Sequence, residues 1–465
     1  MTTQNLYWNR LRAKPYSLFT QGFRTQGFRL KARYCLLLLI PYLATHALSM
    51  DFKGWYAEAI SLAWVVGMAA FFVQFALGGR IRKGTLFTNI DWSMTRHKRV
   101  GKYLGYLFFL HPFLILAPSF AVSMDYGMTS LVSTLTAPAM LTGLIAWGLM
   151  LLFVLLAVYK QALPVRYETW HLLHLLGFSC VAILATLHVT SVGRHGQFQP
   201  DFNLLWWGLC LAAIALMLYN HLFKPLRLQR RPFKLKSVAR VSTSDWQLTL
   251  EKPAGVDFDF APGQFAWINT SGSAFDMNDH PFSIASCRKD LPVVSFIIRT
   301  LGDYTANLDS LQPGQNVYLD GPYGSMSLQD SDKADGILLV AGGAGIGPML
   351  SLLRALAARQ ETRPVRLVYG NRSLDQMVMQ DEIRGLQQQM ADFRQLRVCS
   401  EESTASDIHT GVIDRVSLAQ SLDTGRRENW EVYVCGPSAM IKAVRRHARA
   451  LGIPESHIHY EQLAF

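Results

Sequence analysis

Long apolar runs occupy the N-terminal half of the sequence, and short runs in which apolar and polar residues alternate occupy much of the C-terminal half. The long runs lie at residues 34–50, 57–79, 93–119, 138–159, 169–192 and 202–223. A helix of about 20 apolar residues crosses the hydrocarbon core of a bilayer, so runs of this length indicate membrane helices. We therefore predict a bundle of six transmembrane helices over residues 34–224.

The pattern of the C-terminal half predicts two further domains. Residues 233–330 contain short alternating runs separated by Gly and Pro turns, which predict a small antiparallel β-barrel. A buried strand at 336–341, a glycine-rich turn and an apolar helix at 349–358 then predict an α/β domain with a parallel sheet over residues 335–465. The predicted fold class is thus a multi-domain membrane protein in which an all-α bundle precedes a barrel and an α/β domain.

Composition agrees with a protein that is only partly soluble. Half of its residues are hydrophobic and 17% are charged, and the mean hydropathy is positive. The formal net charge of +12 could indicate nucleic-acid binding, but the basic residues cluster beside the apolar runs, where membrane topology explains them better. The six cysteines form no CxxC pair, which argues against a disulfide framework and against a zinc site.

Basic residues also predict the orientation of the helices. Residues 1–33 carry several arginines and lysines but no acidic residue, and without a cleavage pattern they are expected to form a cytoplasmic leader. The loops after the second, fourth and sixth apolar runs are basic, whereas the other three loops hold only Lys53 and Arg194. Positive residues stay on the cytoplasmic side, so we expect a multi-pass plasma (inner) membrane protein with both termini in the cytoplasm.

Two pairs of histidines with identical spacing lie in the third and fifth apolar runs. The pairs are His97 with His111 and His174 with His188, each separated by fourteen residues. Fourteen residues are close to four helical turns, so both imidazoles of a pair project from nearly the same face, about 21 Å apart. The third and fifth helices run in the same direction, so they could hold two haem irons between opposed imidazoles. The alternative for any single histidine is a hydrogen-bonded structural residue.

His171 is a rival to His174 as a ligand. Its separation from His188 is seventeen residues, which rotates it roughly 100° away from that residue, so His174 is preferred. The preferred pairing sets His97 against His174 at the cytoplasmic depth and the other two histidines against each other at the outer depth. His46 and His221 have no partner at matching spacing and are expected to be structural.

Two segments of the predicted barrel could bind a flavin. The first is the strand His280, Pro281, Phe282 and Ser283. Phe282 offers stacking area and Ser283 a hydroxyl near the reactive nitrogen of a flavin, although an ordinary edge strand would also fit this sequence. In the second segment, residues 299–305, Gly302 and Thr305 could open a helix whose free amides receive a pyrophosphate.

The predicted α/β domain carries a glycine-rich turn between its first strand and first helix. The turn contains Gly342, Gly343, Gly345, Gly347 and Pro348. Glycines let a backbone approach a phosphate closely, and a helix start attracts its charge, which indicates a nucleotide site. Segments 366–372 and 431–437 place two further strand ends at the same rim of the sheet, where such folds bind ligands.

These segments resemble known families in the expected order along the chain. Residues 96–111 and 167–188 resemble the haem-binding core shared by NADPH oxidases and ferric reductases, in which four histidines bind two b-type haems. Residues 280–286, 299–305 and 336–348 resemble the ferredoxin reductase family, in the form used by NADPH oxidases. The resemblance covers nearly all the chain from about residue 34 and implies FAD, NADPH (or NADH) and two haem b as cofactors.

The resemblance also implies roles for individual residues. Soluble members of the ferredoxin reductase family usually have Arg where His280 stands, so Arg299 could make the pyrophosphate contact instead. Cys435, Gly436 and Pro437 would border the nicotinamide, Cys435 as a small wall residue rather than a reactive thiol. Phe465 would cover the flavin ring until nicotinamide displaces it, unless it is a frayed apolar tail.

One further arginine bears on the choice of nicotinamide cofactor. Arg372 follows a predicted strand end and could hold a 2′-phosphate, which would favour NADPH over NADH. The alternative is an unpaired surface arginine.

The implied activity is transmembrane electron transfer from NAD(P)H through FAD and the haems to a small-molecule acceptor outside. Bis-histidine coordination leaves iron no open position, so the outer haem would pass electrons without binding the acceptor. With O2 the product is superoxide, and Arg194 could stabilise that anion, unless it is a solvated loop residue. A ferric-chelate reductase is the first alternative, and a non-catalytic haem-binding sensor or electron-transfer partner is the second.

The sequence predicts few further requirements. No calcium-loop motif of the EF-hand kind is present, and residues 1–33 are too short for a regulatory domain, so we expect activity without calcium. Apart from the lipid bilayer and the acceptor, no obligate protein partner and no nucleic acid is expected.

Overall fold

The computed structural model describes residues 26–47, 54–81, 90–192, 200–401, 408–422 and 426–461. The chain divides into two compact units. Met1–Gly78 and Arg96–Ala215 form the helical unit, and Gly79–Thr95 and Leu216–Phe465 form a second unit. We call it the dehydrogenase unit after the FAD and NAD(P)H sites that the sequence predicts in it.

Helices follow one another from residue 26 to residue 229. They are α1 (Gln26–Ala47), α2 (Trp55–Leu77), α3 (Ile90–Val122), α4 (Met124–Thr136), α5 (Leu141–Val158), α6 (Tyr167–Ser191), α7 (Pro200–Leu218) and, after a π-helical turn at Tyr219–Phe223, α8 (Lys224–Gln229). In the helical unit the core is apolar and contains Phe71, Ala182 and Trp206. The short helix α4 was not predicted, and its first turn is capped by Ser123, whose hydroxyl accepts a hydrogen bond from the Tyr126 amide at 3.1 Å.

Five of these helical stretches are long and apolar enough to cross a membrane, among the residues that the structure describes. They are Trp55–Leu77, Trp92–Val122, Pro138–Val158, Tyr167–Ser191 and Pro200–Gln229. The first predicted span, at 34–50, forms most of α1 but does not meet that criterion, so the six-span bundle is not confirmed. Lys31 and Arg33 lie within α1 and leave it a shorter apolar stretch than the other five.

An antiparallel sheet begins the dehydrogenase unit, as the alternating pattern predicted. Its strands are β1 (Phe233–Arg240), β2 (Asp245–Glu251), β3 (Phe265–Asn269), β4 (His280–Ser283), β5 (Val293–Arg299) and β6 (Asn316–Tyr323), in the order β4-β3-β6-β1-β2-β5. A bridge between Ile284 and Phe296 joins the two ends of this order and closes a barrel. Leu248, Leu250 and Phe296 point into its core and are fully buried.

A parallel sheet follows. Its strands are β7 (Gly336–Gly342), β8 (Val365–Asn371), β9 (Phe393–Cys399), β10 (Ile408–Thr410), β11 (Trp430–Cys435) and β12 (Ile458–Tyr460), in the order β10-β9-β8-β7-β11-β12. From β7 to β10 the chain moves to one side of the sheet, and β11 then starts on the other side of β7. The strand order therefore reverses between β7 and β11, where open sheets of this kind bind ligands at the carboxyl ends of their strands.

Helices connect these strands. A single helical turn, α9 (Asp303–Ala306), lies in the barrel, and α10 (Ile346–Ala358), α11 (Gln380–Gln389), α12 (Arg415–Ser421) and α13 (Ser438–Ala450) lie in the α/β part. Every residue of β7 is buried, which explains its continuous apolar sequence.

Candidate functional site

His97 on α3 and His174 on α6 lie opposite each other in the helical unit. Their ring centroids are 6.1 Å apart. Two imidazole nitrogens that each bind one metal ion at about 2 Å place the ring centres about 6 Å apart, so the observed separation suits a shared metal. The Nδ1 atom of His97 is 3.2 Å from the carbonyl oxygen of Gln74. A hydrogen bond to that carbonyl puts the proton on Nδ1 and leaves Nε2 as the ligand atom.

The second pair, His111 and His188, lies on the same two helices. The Trp64 ring meets that of His111 edge-on at 4.7 Å. A Cβ added at Gly143 of α5 would lie 2.4 Å from Nδ1 of His188, so α5 approaches the His188 ring closely because Gly143 has no side chain. The role of these histidines as ligands stays a prediction.

His171, the rival ligand, has different neighbours. Its ring lies 5.8 Å from that of Tyr167 and 6.4 Å from that of Trp170. The preferred residue, His174, faces His97 across the helix pair. Within the described part of the chain, no group of three or more His, Cys, Asp or Glu residues could hold a metal ion. A site in which protein side chains alone hold a metal ion is thus not found among these residues. A haem iron, in contrast, needs only two protein ligands.

The predicted flavin segment forms β4 and pairs with β3. The ring of His280 lies 4.2 Å from that of Tyr304, and the ring of Phe282 stacks on Tyr304 at 6.1 Å with 20° between the planes. Tyr304 donates a hydrogen bond to the carbonyl of Ile268 at 3.1 Å, and burial raises the pKa of Tyr304 above its ordinary range. Ser283 is buried at the end of the strand.

Tyr304 was not among the predicted site residues. Its position within the segment 299–305, one residue before Thr305, was the available signal, but only the fold shows that its ring reaches His280 and Phe282.

The structure places Gly302 directly before the helix α9, and the binding of a pyrophosphate to the first amides of this helix stays a prediction. The helix α9 consists of a single turn of four residues. The hydroxyl of Thr305 accepts hydrogen bonds from the amides of Leu301 at 2.8 Å and Gly302 at 3.1 Å. The threonine side chain folds back on its own turn, so these two amides are not available to a pyrophosphate.

Arg299 connects the barrel to the α/β part of the dehydrogenase unit. Its guanidinium donates to both carboxylate oxygens of the buried Asp245, at 2.9 and 3.0 Å, and to Oδ1 of Asn371 at 3.3 Å. A Cβ added at Gly343 would lie 2.4 Å from Nη1 of Arg299. The side chain therefore stands beside the glycine-rich turn, with most of its hydrogen bonds already made to protein groups. Its contact with a pyrophosphate stays a prediction.

The glycines of the turn after β7 permit close packing against the end of β11. A Cβ at Gly345 would lie 2.1 Å from the carbonyl oxygen of Cys435, and one at Gly342 would lie 2.5 Å from Sδ of Met440. Gly343 has a φ of +56°, which favours glycine. At Gly347 the nearest atom would be 3.7 Å away, so a side chain has room there. Gly345 thus allows close packing against the end of β11, and Gly342 allows it against the first turn of α13.

Other predicted residues lie around this junction. Cys435 ends β11 and is 8% exposed, and its role beside a nicotinamide stays a prediction. Gly436 has a φ of +158°, and Pro437 precedes α13. Pro348 is buried in the first turn of α10. Arg372 is exposed directly after β8.

Arg194 and Phe465 lie outside the described residues. The C-terminal segment is described as far as Glu461, whose carboxylate accepts a hydrogen bond from the Ser325 amide at 2.9 Å.

Comparison with known proteins identifies both parts of the dehydrogenase unit. Residues 230–327 match an FAD-binding domain, and residues 339–446 match an oxidoreductase NAD-binding domain. Neither match extends into the helical unit. The dehydrogenase unit therefore carries a domain similar to FAD-binding domains, followed by one similar to the NAD-binding domains of oxidoreductases.

Relatives known by sequence are electron-transfer components of oxygenase systems. The reductase component of propane 2-monooxygenase from Mycolicibacterium smegmatis is 33% identical over 215 residues, which are 44% of this chain and 59% of that protein. The electron transfer component of toluate 1,2-dioxygenase from Pseudomonas putida is 28% identical and is matched by 50% of this chain over 66% of its own length. The chain thus spans less than two thirds of the length of these relatives.

Two solved structures were compared with this chain, and both align with it at low sequence identity and with TM-scores under 0.5. A flavohemoglobin from Malassezia yamatoensis with bound FAD and heme superposes with a TM-score of 0.47 at 20% identity, over 78% of this chain and 96% of that chain. A cytochrome P450 reductase from Amycolatopsis gives a TM-score of 0.45 at 22% identity, over 50% of this chain and 69% of that chain.

Proposed function

We propose that this protein is a multi-pass oxidoreductase of the plasma (inner) membrane. It carries electrons from cytoplasmic NAD(P)H through FAD and two b-type haems to an acceptor outside, with O2 as the preferred acceptor and superoxide as its product. The observation that carries the haem part of this proposal is the opposition of His97 and His174 at 6.1 Å. The distribution of basic loops supports the orientation, with both termini in the cytoplasm.

The histidines would hold the haems in two layers. When bound, FAD converts the two-electron donor NAD(P)H into a source of single electrons, which bis-histidine haems pass on without an open coordination position. His97 and His174 would hold the cytoplasmic haem, and His111 and His188 the outer one. The hydrogen bond between Nδ1 of His97 and the Gln74 carbonyl would fix the tautomer of the ring and leave Nε2 as the ligand atom.

In the dehydrogenase unit, residues at two places would bind and orient the cofactors: the flavin segment of the barrel and the ends of β7 and β11. Phe282 and Tyr304 offer parallel aromatic surfaces for stacking, and Ser283 offers a buried hydroxyl. The turn after β7 and the end of β11 meet where the strand order reverses, which fits a nicotinamide nucleotide held between Gly343 and Cys435. The exposed Arg372 directly after β8 favours NADPH, because a guanidinium binds a 2′-phosphate through charge-assisted hydrogen bonds.

Anaerobic reduction by NADPH tests this proposal. Purified protein in detergent should contain FAD and two haem equivalents, and NADPH should reduce both in sequence, as followed by the flavin and haem absorbance bands. Protein that contains no haem would contradict the proposal. Haem that NADPH leaves oxidised would favour a sensor instead. In a separate assay in air, dye reduction that superoxide dismutase suppresses would identify O2 as the acceptor, whereas direct, dismutase-insensitive reduction of a ferric chelate would identify a ferric reductase.

A second candidate is a reductase that passes electrons to a protein partner. The relatives that match the dehydrogenase unit are called reductase or electron transfer components of oxygenase systems, which favours this alternative. It predicts that NADPH oxidation by the purified protein is slow with O2 or ferric chelates and accelerates when a one-electron acceptor protein, such as a [2Fe–2S] ferredoxin, is added.

A further inference from the structure

The guanidinium of Arg80 spans three neighbouring strands of the barrel. Its Nη2 donates to Oδ1 of Asp279 at 2.9 Å, and its Nη1 donates to the other oxygen of the same carboxylate. The Cζ atom lies 3.6 Å from the centroid of the Trp267 ring, which it covers. Nη1 is also 3.8 Å from Oδ2 of Asp320. A single side chain from outside the barrel thus engages two carboxylates and an aromatic ring.

Strand register explains why these three groups meet. Trp267 on β3 pairs with Pro281 on β4 and, on its other side, with Asp320 on β6. Asp279 stands directly before β4, so its carboxylate lies near the same level of the sheet. Arg80 therefore bridges β4 to β3 and β6, the next two strands in the order of the sheet.

Arg80 is itself held in place by the helical segment before the barrel. Its amide donates to Oδ1 of Asn220 at 3.3 Å, and Nζ of Lys224 donates to its carbonyl at 3.0 Å. Lys224 also donates to Asp320 at 3.2 Å, and Tyr323 donates to the same carboxylate at 2.7 Å. Two cations and two carboxylates balance each other in this cluster, as buried charges require.

The electrostatics of the cluster keep Arg80 charged. Burial alone would lower the pKa of Arg80, but the carboxylates, with Asp279 first, raise that pKa above its ordinary value. The guanidinium therefore remains a permanent donor to both oxygens of Asp279.

The anchored carboxylate stands next to the flavin segment. Asp279 directly precedes His280, whose ring lies 4.2 Å from that of Tyr304, and Trp267 is the register partner of Pro281. We propose that Arg80 is a positioning residue of the flavin site, which fixes the start of β4 and thereby the aromatic surface of His280 and Phe282. This inference rests on the proposed binding of FAD at β4.

The barrel offers a matched control for this ion pair. Arg288 and Asp259 form another arginine–aspartate pair in the same barrel, but their side chains are 72% and 48% exposed, compared with 21% and 25% for Arg80 and Asp279. A solvent-exposed ion pair contributes little to the free energy of unfolding, so its removal should not disturb the barrel.

Flavin binding by the full-length protein in detergent tests the proposal. FAD is removed and titrated back while its fluorescence and its visible circular dichroism are recorded. For Arg80→Ala we expect the Kd for FAD to rise about ten-fold and the flavin circular dichroism to change, with the KM for NADPH nearly unchanged. Asp279→Asn should have the same effect, and the double variant should lose no more than either single variant, because all three remove the same ion pair. Arg288→Ala should bind FAD like the wild type.

Several outcomes would overturn the inference. One is an Arg80→Ala protein that is folded and has wild-type FAD affinity and circular dichroism. If that variant does not fold, Asp279→Asn, which keeps the size of the side chain, decides the matter in the same way. An equal loss of FAD affinity in Arg288→Ala would show a general effect of charge on the barrel. If the wild-type protein itself fails to bind FAD, the proposed function fails, and this inference with it.

Discussion

The two units of the protein differ in how their buried polar groups find partners. In the helical unit, buried side-chain nitrogen or oxygen atoms without a hydrogen-bond partner occur at Trp64, Gln74, His111, His174, His188 and Trp206, among the described residues. In the dehydrogenase unit Gln380 and His457 also carry such an atom, but the buried charges are paired: Asp245 with Arg299, and Asp320 with Lys224. Buried polar groups without partners are uncommon in folded proteins, and a ligand bound beside such groups can supply the missing contacts.

The helical unit is the one whose interior a bound ligand would complete. Three of the six groups are the histidines of the proposed haem sites, and Gln74 supplies the carbonyl next to His97. The paired charges of the dehydrogenase unit need no added group for their stability. We therefore expect haem to stabilise the helical unit strongly, whereas FAD and nucleotide fill surfaces that the protein has already formed.

Removal of one ligand of the cytoplasmic haem should have the largest effect. His174→Ala leaves His97 without its partner, so the protein should lose one of its two haem equivalents and keep the other. Because electrons can then no longer pass from FAD to the cytoplasmic haem, NADPH-dependent reduction of an external dye should fall by at least about 100-fold. Haem content by the pyridine haemochrome method and dye reduction measure the two effects.

His171→Ala is the matched control for that variant. It removes an imidazole three residues away, whose ring contacts Tyr167 and Trp170. We expect two haem equivalents and nearly full dye reduction. Loss of a haem in His171→Ala but not in His174→Ala would contradict the ligand assignment, and His111→Ala, which should lose only the outer haem, provides an independent check.

A substitution that disturbs the packing between the ends of β7 and β11 should have the next largest effect. In Gly345→Ala the added Cβ would lie 2.1 Å from the Cys435 carbonyl, a backbone atom that cannot rotate away. The strand ends must separate, which should cost about 1–3 kcal/mol and slow the reduction of FAD by NADPH. Thermal unfolding and stopped-flow flavin reduction measure this effect.

Gly385 offers the opposite environment for the same substitution. It lies within α11, and a Cβ there meets no atom within 4 Å. Gly385→Ala should therefore leave flavin reduction unchanged and stabilise the protein by about 0.5–1 kcal/mol, because alanine favours helix. An equal destabilisation by both substitutions would show that the close packing at Gly345 is not the cause.

Local pattern was enough to predict much of the dehydrogenase unit. Alternation predicted the antiparallel sheet, and the buried run before Gly342 predicted β7 and the helix after it. Such features depend on neighbours along the chain, which a sequence displays directly. The equal spacing of the histidine pairs likewise predicted which residues share a helix face, although their role as ligands remains a prediction.

Features that join distant parts of the chain could not be predicted in this way. Arg80 and Asp279 are 199 positions apart, and no local pattern connects them. The stacking of Tyr304 on Phe282 depends on how the barrel closes. The packing role of Gly345 depends on the neighbouring position of β11, because the same glycine-rich sequence equally fits a phosphate loop.

A substitution at Arg372 should have a smaller effect, which concerns the preference for NADPH over NADH. Arg372 is exposed after β8, where the adenosine end of a nucleotide would lie in a sheet of this order. Arg372→Ala should raise the KM for NADPH about three- to ten-fold, as expected for the loss of a charged hydrogen bond, and leave that for NADH unchanged. Steady-state kinetics with both nucleotides measure the difference, and an equal rise for both would assign Arg372 to another role.

The smallest expected effect concerns the stability of the dehydrogenase unit at low pH. Glu361 accepts hydrogen bonds from Arg363 at 2.7 Å and from Arg359 at 2.7 Å. These arginines, with Arg363 first, lower the pKa of Glu361 from 4.5 to about 2. As pH falls, the unfolded chain therefore takes up a proton before the folded protein does. The stabilisation, about 1–3 kcal/mol, is complete at neutral pH and is lost from pH 4.5 down to 2.

The difference in Tm between the wild type and Glu361→Gln should follow this sign. Measured through flavin fluorescence, it should be largest at pH 7 and shrink as pH falls below 4.5, because the wild-type carboxylate then gains its proton. Asp381→Asn is the control: its partner Arg384 and Asp381 itself are 70% and 94% exposed, so solvent screens their attraction and Tm should not change. A difference for Glu361→Gln that is the same at every pH would mean that shape, and not charge, holds Glu361 between its arginines.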